Sequence, residues 1–152
     1  MSTDVTQCPL TKGEHMLVAV DGSEHSDFAV DQAISLGGMC NSKIFLLRVV
    51  RLLPEYVGVA PDYVDNLTEQ AQKYLADAKQ KVEQASIACE TILRKGANPS
   101  EYILDEAEKK QIDLIVMGTH GRSGLEKLFL GSVAQKVVGH APCPVMVIPA
   151  RE

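Results

Sequence analysis

The sequence predicts an α/β protein: one doubly wound, five-stranded parallel sheet in the order 3-2-1-4-5, with helices on both faces. Three observations lead there. Five short β-like runs alternate with helical patterns along the 152 residues. Several of those runs, such as Met16-Leu17-Val18-Ala19-Val20 and Leu114-Ile115-Val116-Met117, are continuously apolar, as strands covered on both faces must be. Right-handed crossovers then leave few topologies, and the simplest reverses direction between the first and fourth strands.

The predicted strands are His15–Asp21, Lys43–Val50, Ser86–Arg94, Asp113–Gly118 and Pro144–Ile148. The first helix is expected from about Glu24 to Cys40, burying Ala29, Ala33, Leu36 and Cys40, with Gly37-Gly38 weakening its end. Between strands two and three, Val64, Leu67, Ala71, Leu75, Ala78, Val82 and Ala85 recur at three- and four-residue spacing and place one apolar stripe on a long helix. Asn98-Pro99-Ser100-Glu101 starts the next helix, with Asn98 as side-chain cap, Pro99 preset for the first helical position and Glu101 returning a capping bond. A last helix is expected over Val133–Gly139. No repeat or low-complexity tract interrupts this order, so residues 15–150 read as one domain behind a flexible segment, 1–14.

Apolar residues make up 45% and charged residues 23% of the chain, a globular balance far from that of disordered chains. The net charge of −5 excludes a broad basic field for nucleic acid or anionic lipid, so any phosphate ligand must be held locally. The stretch from Met1 to Glu14 lacks a signal-peptide pattern, and no apolar run approaches the ~18 residues of a membrane span. The protein is expected in the cytoplasm, without membrane insertion. Cys8, Cys40, Cys89 and Cys143 are scattered, without metal-ligand spacing, and are expected to be reduced thiols, mostly filling the core.

In doubly wound sheets, ligands bind beyond the carboxyl ends of the strands where the order reverses, here at Asp21-Gly22-Ser23 and Gly118-Thr119-His120-Gly121. The second of these opens a loop of pattern G-x2-G-x9-G-S, running from Gly118 through Gly121 to Gly131-Ser132. Glycines at 118 and 121 let backbone N–H groups approach an anion, and the free N–H groups and dipole of the helix starting after Gly131 favour phosphate oxygens. The Ser132 hydroxyl adds a donor. Arg122, Lys127 and Lys136 supply local positive charge within an acidic protein.

These residues resemble the universal stress protein family over nearly the whole chain. The resemblance is carried by Val18-Ala19-Val20-Asp21-Gly22-Ser23, Ile44-Phe45-Leu46-Leu47-Arg48-Val49, Asp113-Leu114-Ile115-Val116-Met117-Gly118, the glycine loop, and Cys143-Pro144-Val145-Met146-Val147-Ile148. It implies the Rossmann-like fold shared with the adenine nucleotide alpha hydrolases and, because the loop is intact, the ATP-binding type. By resemblance, Gly118, Gly121, Arg122, Ser123, Gly131, Ser132 and Val133 contact phosphates and ribose. Ala19, Val20, Asp21 and Val49 line the adenosine side, and Met117 and Ala134 complete the set. Arg48 departs from the family pattern, in which many members place histidine. The ligand implied is ATP, or ADP or AMP, with Mg²⁺ accompanying ATP. A homodimer through Val145–Ile148, an apolar edge strand that needs covering, is implied as well.

Several residues keep two readings. Asp21 can bind ribose hydroxyls, hold Mg²⁺ through water, or cap the following turn. His120 is a phosphate donor or general base, or else a solvated loop residue. His25 and His140 are expected to be exposed. Ser123-Gly124-Leu125-Glu126 also fits a capping box. The connection from Arg51 to Pro61 is a lid over the site or a flap packed on the sheet edge.

Rival families fail on specific residues. A response-regulator receiver needs an aspartate where Gly118 stands, a flavodoxin needs a longer phosphate loop after strand one, and the P-loop pattern G-x-x-x-x-G-K-[ST] is absent. No positioned base for phosphoryl transfer accompanies the phosphate cradle, so binding with slow hydrolysis at most is expected. The alternatives are a nucleotide-independent interaction module and a true ATP-hydrolysing enzyme.

Overall fold

A computed structural model of the chain describes residues 7–119 and 130–149. Five parallel strands form one sheet in the order β3-β2-β1-β4-β5. They are β1 (His15–Val20), β2 (Lys43–Arg51), β3 (Cys89–Gly96), β4 (Leu114–Gly118) and β5 (Val145–Ile148). The helices are α1 (Glu24–Cys40), α2 (Pro54–Val57), α3 (Pro61–Gln84), α4 (Pro99–Lys109) and α5 (Ser132–His140). The sheet splits the interior into two apolar clusters. On one face Met16, Val18 and Val20 of β1 pack with Ala29, Val30 and Ala33 of α1 and Leu75, Ala78 and Val82 of α3. On the other, Leu17 packs with Ile103 and Ala107 of α4 and Ala134 and Val137 of α5. This is the two-residue alternation of a strand buried on both sides. No described helix is long and apolar enough to cross a membrane.

Local chemistry explains where the elements depart from expectation. β3 begins at Cys89 and not at Ser86, because Ser86 has φ +62° and turns the chain out of α3 before it can extend. Helix α1 runs through Gly37-Gly38 to a left-handed cap at Asn41, and of the residues expected in its core Leu36 and Cys40 are only half-buried, while Ser26, Val30 and Gly37 are buried. Ala85 caps the exposed end of α3, so the buried stripe is Ala71, Leu75, Ala78 and Val82. Asn98 gives no side-chain cap. Its amide donates to Glu101 Oε1 at 3.2 Å, a charged acceptor that holds the side chain in an orientation in which its oxygen caps no helix N–H. The connection after β2 is partly helical, with Tyr56 and Val59 exposed.

The largest correction concerns cysteine. Cys8 and Cys40 are joined in a disulfide with Cα atoms 4.5 Å apart, against the expectation of four reduced thiols. The chain before β1 folds back across the end of α1, where Ser42 Oγ donates to the Gly13 carbonyl, and this brings together two residues separated by 32 positions. Such a pairing leaves no mark in local spacing. Cys89 and Cys143 are free and half-buried. Burial pushes the Cys89 thiol up to about 11 and also raises that of Cys143, so both are poor nucleophiles at neutral pH.

On β3, Arg94 pairs with Glu106 and with Asp105, the latter at 3.4 Å, and lies over the Tyr102 ring with its guanidinium carbon 4.8 Å from the centroid. Gly96 makes room for that ring: a Cβ there would stand 2.1 Å from Tyr102 Oη and 2.4 Å from Cε2. Gly96→Ala is therefore expected to displace Tyr102 and to destabilise the fold by about 1–3 kcal/mol, measurable as a lower urea midpoint.

Candidate functional site

The strand order reverses between β1 and β4, and the site is built at the carboxyl ends of these two strands. On the β4 side, Thr119 N–H donates to Ile148 O at 3.0 Å, and Gly131 N–H donates to Thr119 O at 2.7 Å. The second bond seats the start of α5 against the end of β4. Gly131 is the N-cap of α5 and offers no side chain, so the helix begins without a side-chain cap. Its first N–H groups, at Ser132, Val133 and Ala134, stand at the positive end of the helix dipole. Ser132 is exposed, and Lys136 lies one turn further on.

The apolar floor of the crevice belongs to one face of the sheet. Ala19, Val49, Met117, Val133 and Ala134, drawn from β1, β2, β4 and α5, join the same apolar cluster, with Ala19, Val49 and Val133 half-buried at its rim. Five predicted site residues thus share one cluster, although 115 positions separate the first from the last. Val20 does not join them: its side chain lies in the opposite cluster, 5% exposed, so any contribution to this face comes from its main chain. Gly118 pairs with Ile148 at the end of the sheet. Gly121, Arg122 and Ser123, with His120, Lys127 and the Ser123–Glu126 capping box, lie outside the described residues.

Across the crevice, Gly22 takes φ +83°, which turns the chain sharply after Asp21 and starts α1 at once. Asp21 Oδ1 accepts hydrogen bonds from Ser23 N–H at 2.9 Å, from the Ser23 hydroxyl, and from the Ser26 hydroxyl at 2.7 Å. The Ser26 oxygen in turn accepts the Asp21 N–H at 2.7 Å. Burial alone would raise the Asp21 pKa, but the two serine hydroxyls, the Ser23 N–H and the positive charge of Arg48 outweigh it and hold the carboxyl below its ordinary value. Asp21 is therefore ionised throughout the neutral range.

Sequence reasoning missed several neighbours of Asp21. Ser26 is 4% exposed, and its signal was the spacing Asp21-x-Ser23-x-x-Ser26 at a helix start. Arg48, paired with Val20 across β1 and β2, is 9% exposed and brings Nη1 to 3.9 Å from where a Gly22 Cβ would stand. Tyr74 of α3 donates its hydroxyl to Asp27 Oδ1 at 2.7 Å, and burial followed by that bond pushes its pKa up, so it remains a neutral donor. His25, expected to be exposed, is half-buried, because the Asp21–Ser26 bonds draw the first turn of α1 onto the end of β1. His140 is exposed as expected, with Nδ1 3.0 Å from Lys136 O. A shallow groove of about 360 Å³ between α3 and β3, lined by Gln72, Leu75 and Lys79 among others, lies on the opposite face of the sheet and shares no residue with the site.

The fold and these strand ends define a doubly wound α/β domain in which a helix start without a side-chain cap lies at the same end of the sheet as the ionised carboxylate of Asp21. The chain belongs to the universal stress protein family, whose model matches residues 13–149. It is 35% identical over 138 residues to universal stress protein MJ0531 of Methanocaldococcus jannaschii, covering 88% of this chain and 80% of that protein. Universal stress protein UspA from Lactobacillus plantarum has a similar solved structure, with a TM-score of 0.81 and 28% identity, covering 90% of this chain and 98% of that one. A universal stress protein solved in complex with cAMP is similar with a TM-score of 0.66 and 25% identity, covering 91% of this chain and 98% of that one.

Proposed function

We propose that this chain binds an adenine nucleotide, ATP first with ADP or AMP as alternatives, in the crevice between β1 and β4, as a regulatory ligand in a stress response. The observation that carries the reading is the start of α5, which has no side-chain cap among the described residues and is seated on the end of β4 beside the half-buried apolar rim of Ala19, Val49 and Val133. Phosphates take the N–H groups of Ser132 and Val133 and the Ser132 hydroxyl, while adenosine lies against the rim. By resemblance, Gly118, Gly121, Arg122, Ser123 and Gly131 complete the phosphate cradle. The cAMP complex of a related protein supports an adenine ligand.

The residues fit Mg²⁺ carried with ATP. No group of three or more His, Cys, Asp or Glu side chains among the described residues could hold a cation alone, but Mg²⁺ commonly keeps its waters and binds through phosphates with one or two carboxylates, a role open to Asp21. Bound Mg²⁺ would neutralise phosphate charge. The described site supplies phosphate donors and one carboxylate, Asp21, whose Oδ1 is bonded to two serine hydroxyls, and no positioned base, which favours binding with slow hydrolysis at most. The working form is a cytoplasmic homodimer paired through the apolar edge strand β5.

The test is calorimetric titration with ATP and Mg²⁺, after mass spectrometry for adenine nucleotide retained through purification. Saturable binding or a retained nucleotide is the expected result. Absence of both would leave an interaction module that does not use its loop, and a turnover of ~1 per second or faster would make the protein an enzyme.

A further inference from the structure

We propose that Ser26 is a positioning residue of the nucleotide site, holding Asp21 by a reciprocal pair of hydrogen bonds that commits Oδ1 to the protein and leaves Oδ2 as the oxygen offered to the ligand. The inference rests on the nucleotide-binding reading of the crevice and deepens it.

Ser26 sits in the first turn of α1, 4% exposed. Its hydroxyl accepts the Asp21 N–H at 2.7 Å and donates to Asp21 Oδ1 at 2.7 Å, so both the main chain and the carboxylate of one residue are held by one buried oxygen. Helix stability does not ask for this hydroxyl. Ser23 already caps α1, accepting the Ser26 N–H at 3.4 Å on its side chain, and alanine at position 26 would be the better helix former at nearly the same volume. A buried hydroxyl costs desolvation unless it is bonded, and the bonds it makes here are to Asp21.

Among the described residues, the three hydrogen bonds to the carboxylate all fall on Oδ1. The rotation of the carboxylate is therefore set by Ser23 and Ser26 together. Ser23 is half-exposed at the mouth of the turn, whereas Ser26 anchors the group from inside the fold. Arg48 of β2 adds positive charge on the α1/α3 side, and Tyr74 and Asp27 satisfy one another there, so neither draws the Asp21 carboxylate away. Prepositioning of this kind raises affinity because the ligand need not order the carboxylate itself.

The test is a double-mutant cycle in the full chain read by ATP titration, using Ser26→Ala, Asp21→Asn and the double variant. Ser26→Ala is expected to weaken ATP binding about 10- to 100-fold, the range of a lost hydrogen bond to a charged group, with a fall of a few degrees in melting temperature from the Asp21 N–H left unpaired. In the Asp21→Asn background the same change is expected to have almost no further effect, which a purely structural role would not produce. Ser26→Thr, which keeps the hydroxyl, should recover most of the affinity. A second readout needs no nucleotide: the Asp21 amide proton, held by the bond to Ser26 Oγ, should move upfield in the NMR spectrum of Ser26→Ala. Parental ATP affinity in Ser26→Ala, or full additivity in the cycle, overturns the inference. If the parent itself binds no ATP, the nucleotide reading fails, and an unmoved Asp21 amide would then sink the positioning role independently.

Discussion

Ser132→Asp is expected to lower ATP affinity by at least about 100-fold while leaving the melting temperature unchanged or slightly raised. Position 132 is the first residue of α5, where an acidic side chain interacts favourably with the helix dipole and can serve the free N–H groups. The folded protein therefore loses nothing. The proposed phosphate site is in the same place, and a unit negative charge ~4 Å from a phosphate oxygen at an effective dielectric constant near 20 opposes binding by about 4 kcal/mol, more than enough for the effect. Folding and binding thus move in opposite directions. Titration calorimetry and thermal denaturation on one preparation check both. Undiminished binding would remove α5 from the site, and a large fall in melting temperature would mean that the helix start has another structural duty.

Reduction of Cys8–Cys40, or Cys40→Ser, is expected to lower the melting temperature by about 10 °C. The bond closes a loop between positions 32 apart, worth about 3–4 kcal/mol of unfolded-state entropy, and a chain of this length shifts by ~2–4 °C per kcal/mol. Mass spectrometry after alkylation of the unfolded, unreduced protein should find two modified cysteines, Cys89 and Cys143, rising to all four after treatment with a dithiol. Four alkylated residues without reductant, in protein purified under oxidising conditions, would refute the pairing. A dithiol-reducing compartment opposes such a bond, so its redox surroundings decide which form of the protein predominates.

Most of the fold was legible because it is written in local periodicity. The continuous apolar run Met16–Val20 and the stripe Ala71, Leu75, Ala78, Val82 each report burial directly, and crossover handedness then orders the strands. Strand ends were less legible, since whether Ser86 extends or turns depends on one backbone angle. The Cys8–Cys40 pair was illegible for a different reason: it depends on how the segment before β1 crosses the end of α1, a long-range fact without a periodic trace. The site divides in the same way. The glycine pattern and the position of Asp21 point to the crevice, whereas the grip of Ser26 on Asp21 and the burial of Arg48 follow from packing that only the assembled sheet makes visible.

Among the described residues the disulfide and several ion pairs gather at one end of the sheet, and this bears on how the molecule opens. At the amino ends of the strands, the disulfide is joined by Asp113, which accepts the His15 N–H at 3.0 Å and faces Lys12 at 3.7 Å, and by Glu90 between Lys43 at 3.1 Å and Lys110 at 3.5 Å. The carboxyl ends of β1 and β4 have no comparable covalent tie. Apart from the Asp21 N–H that Ser26 holds, amide hydrogens at residues 19–22 and 117–119 should therefore exchange with solvent by smaller local openings than those at 15–17 and 43–46, and the chain should begin to unzip from the crevice. A ligand seated there would close the weaker end, slowing exchange most at the residues that yield first in its absence.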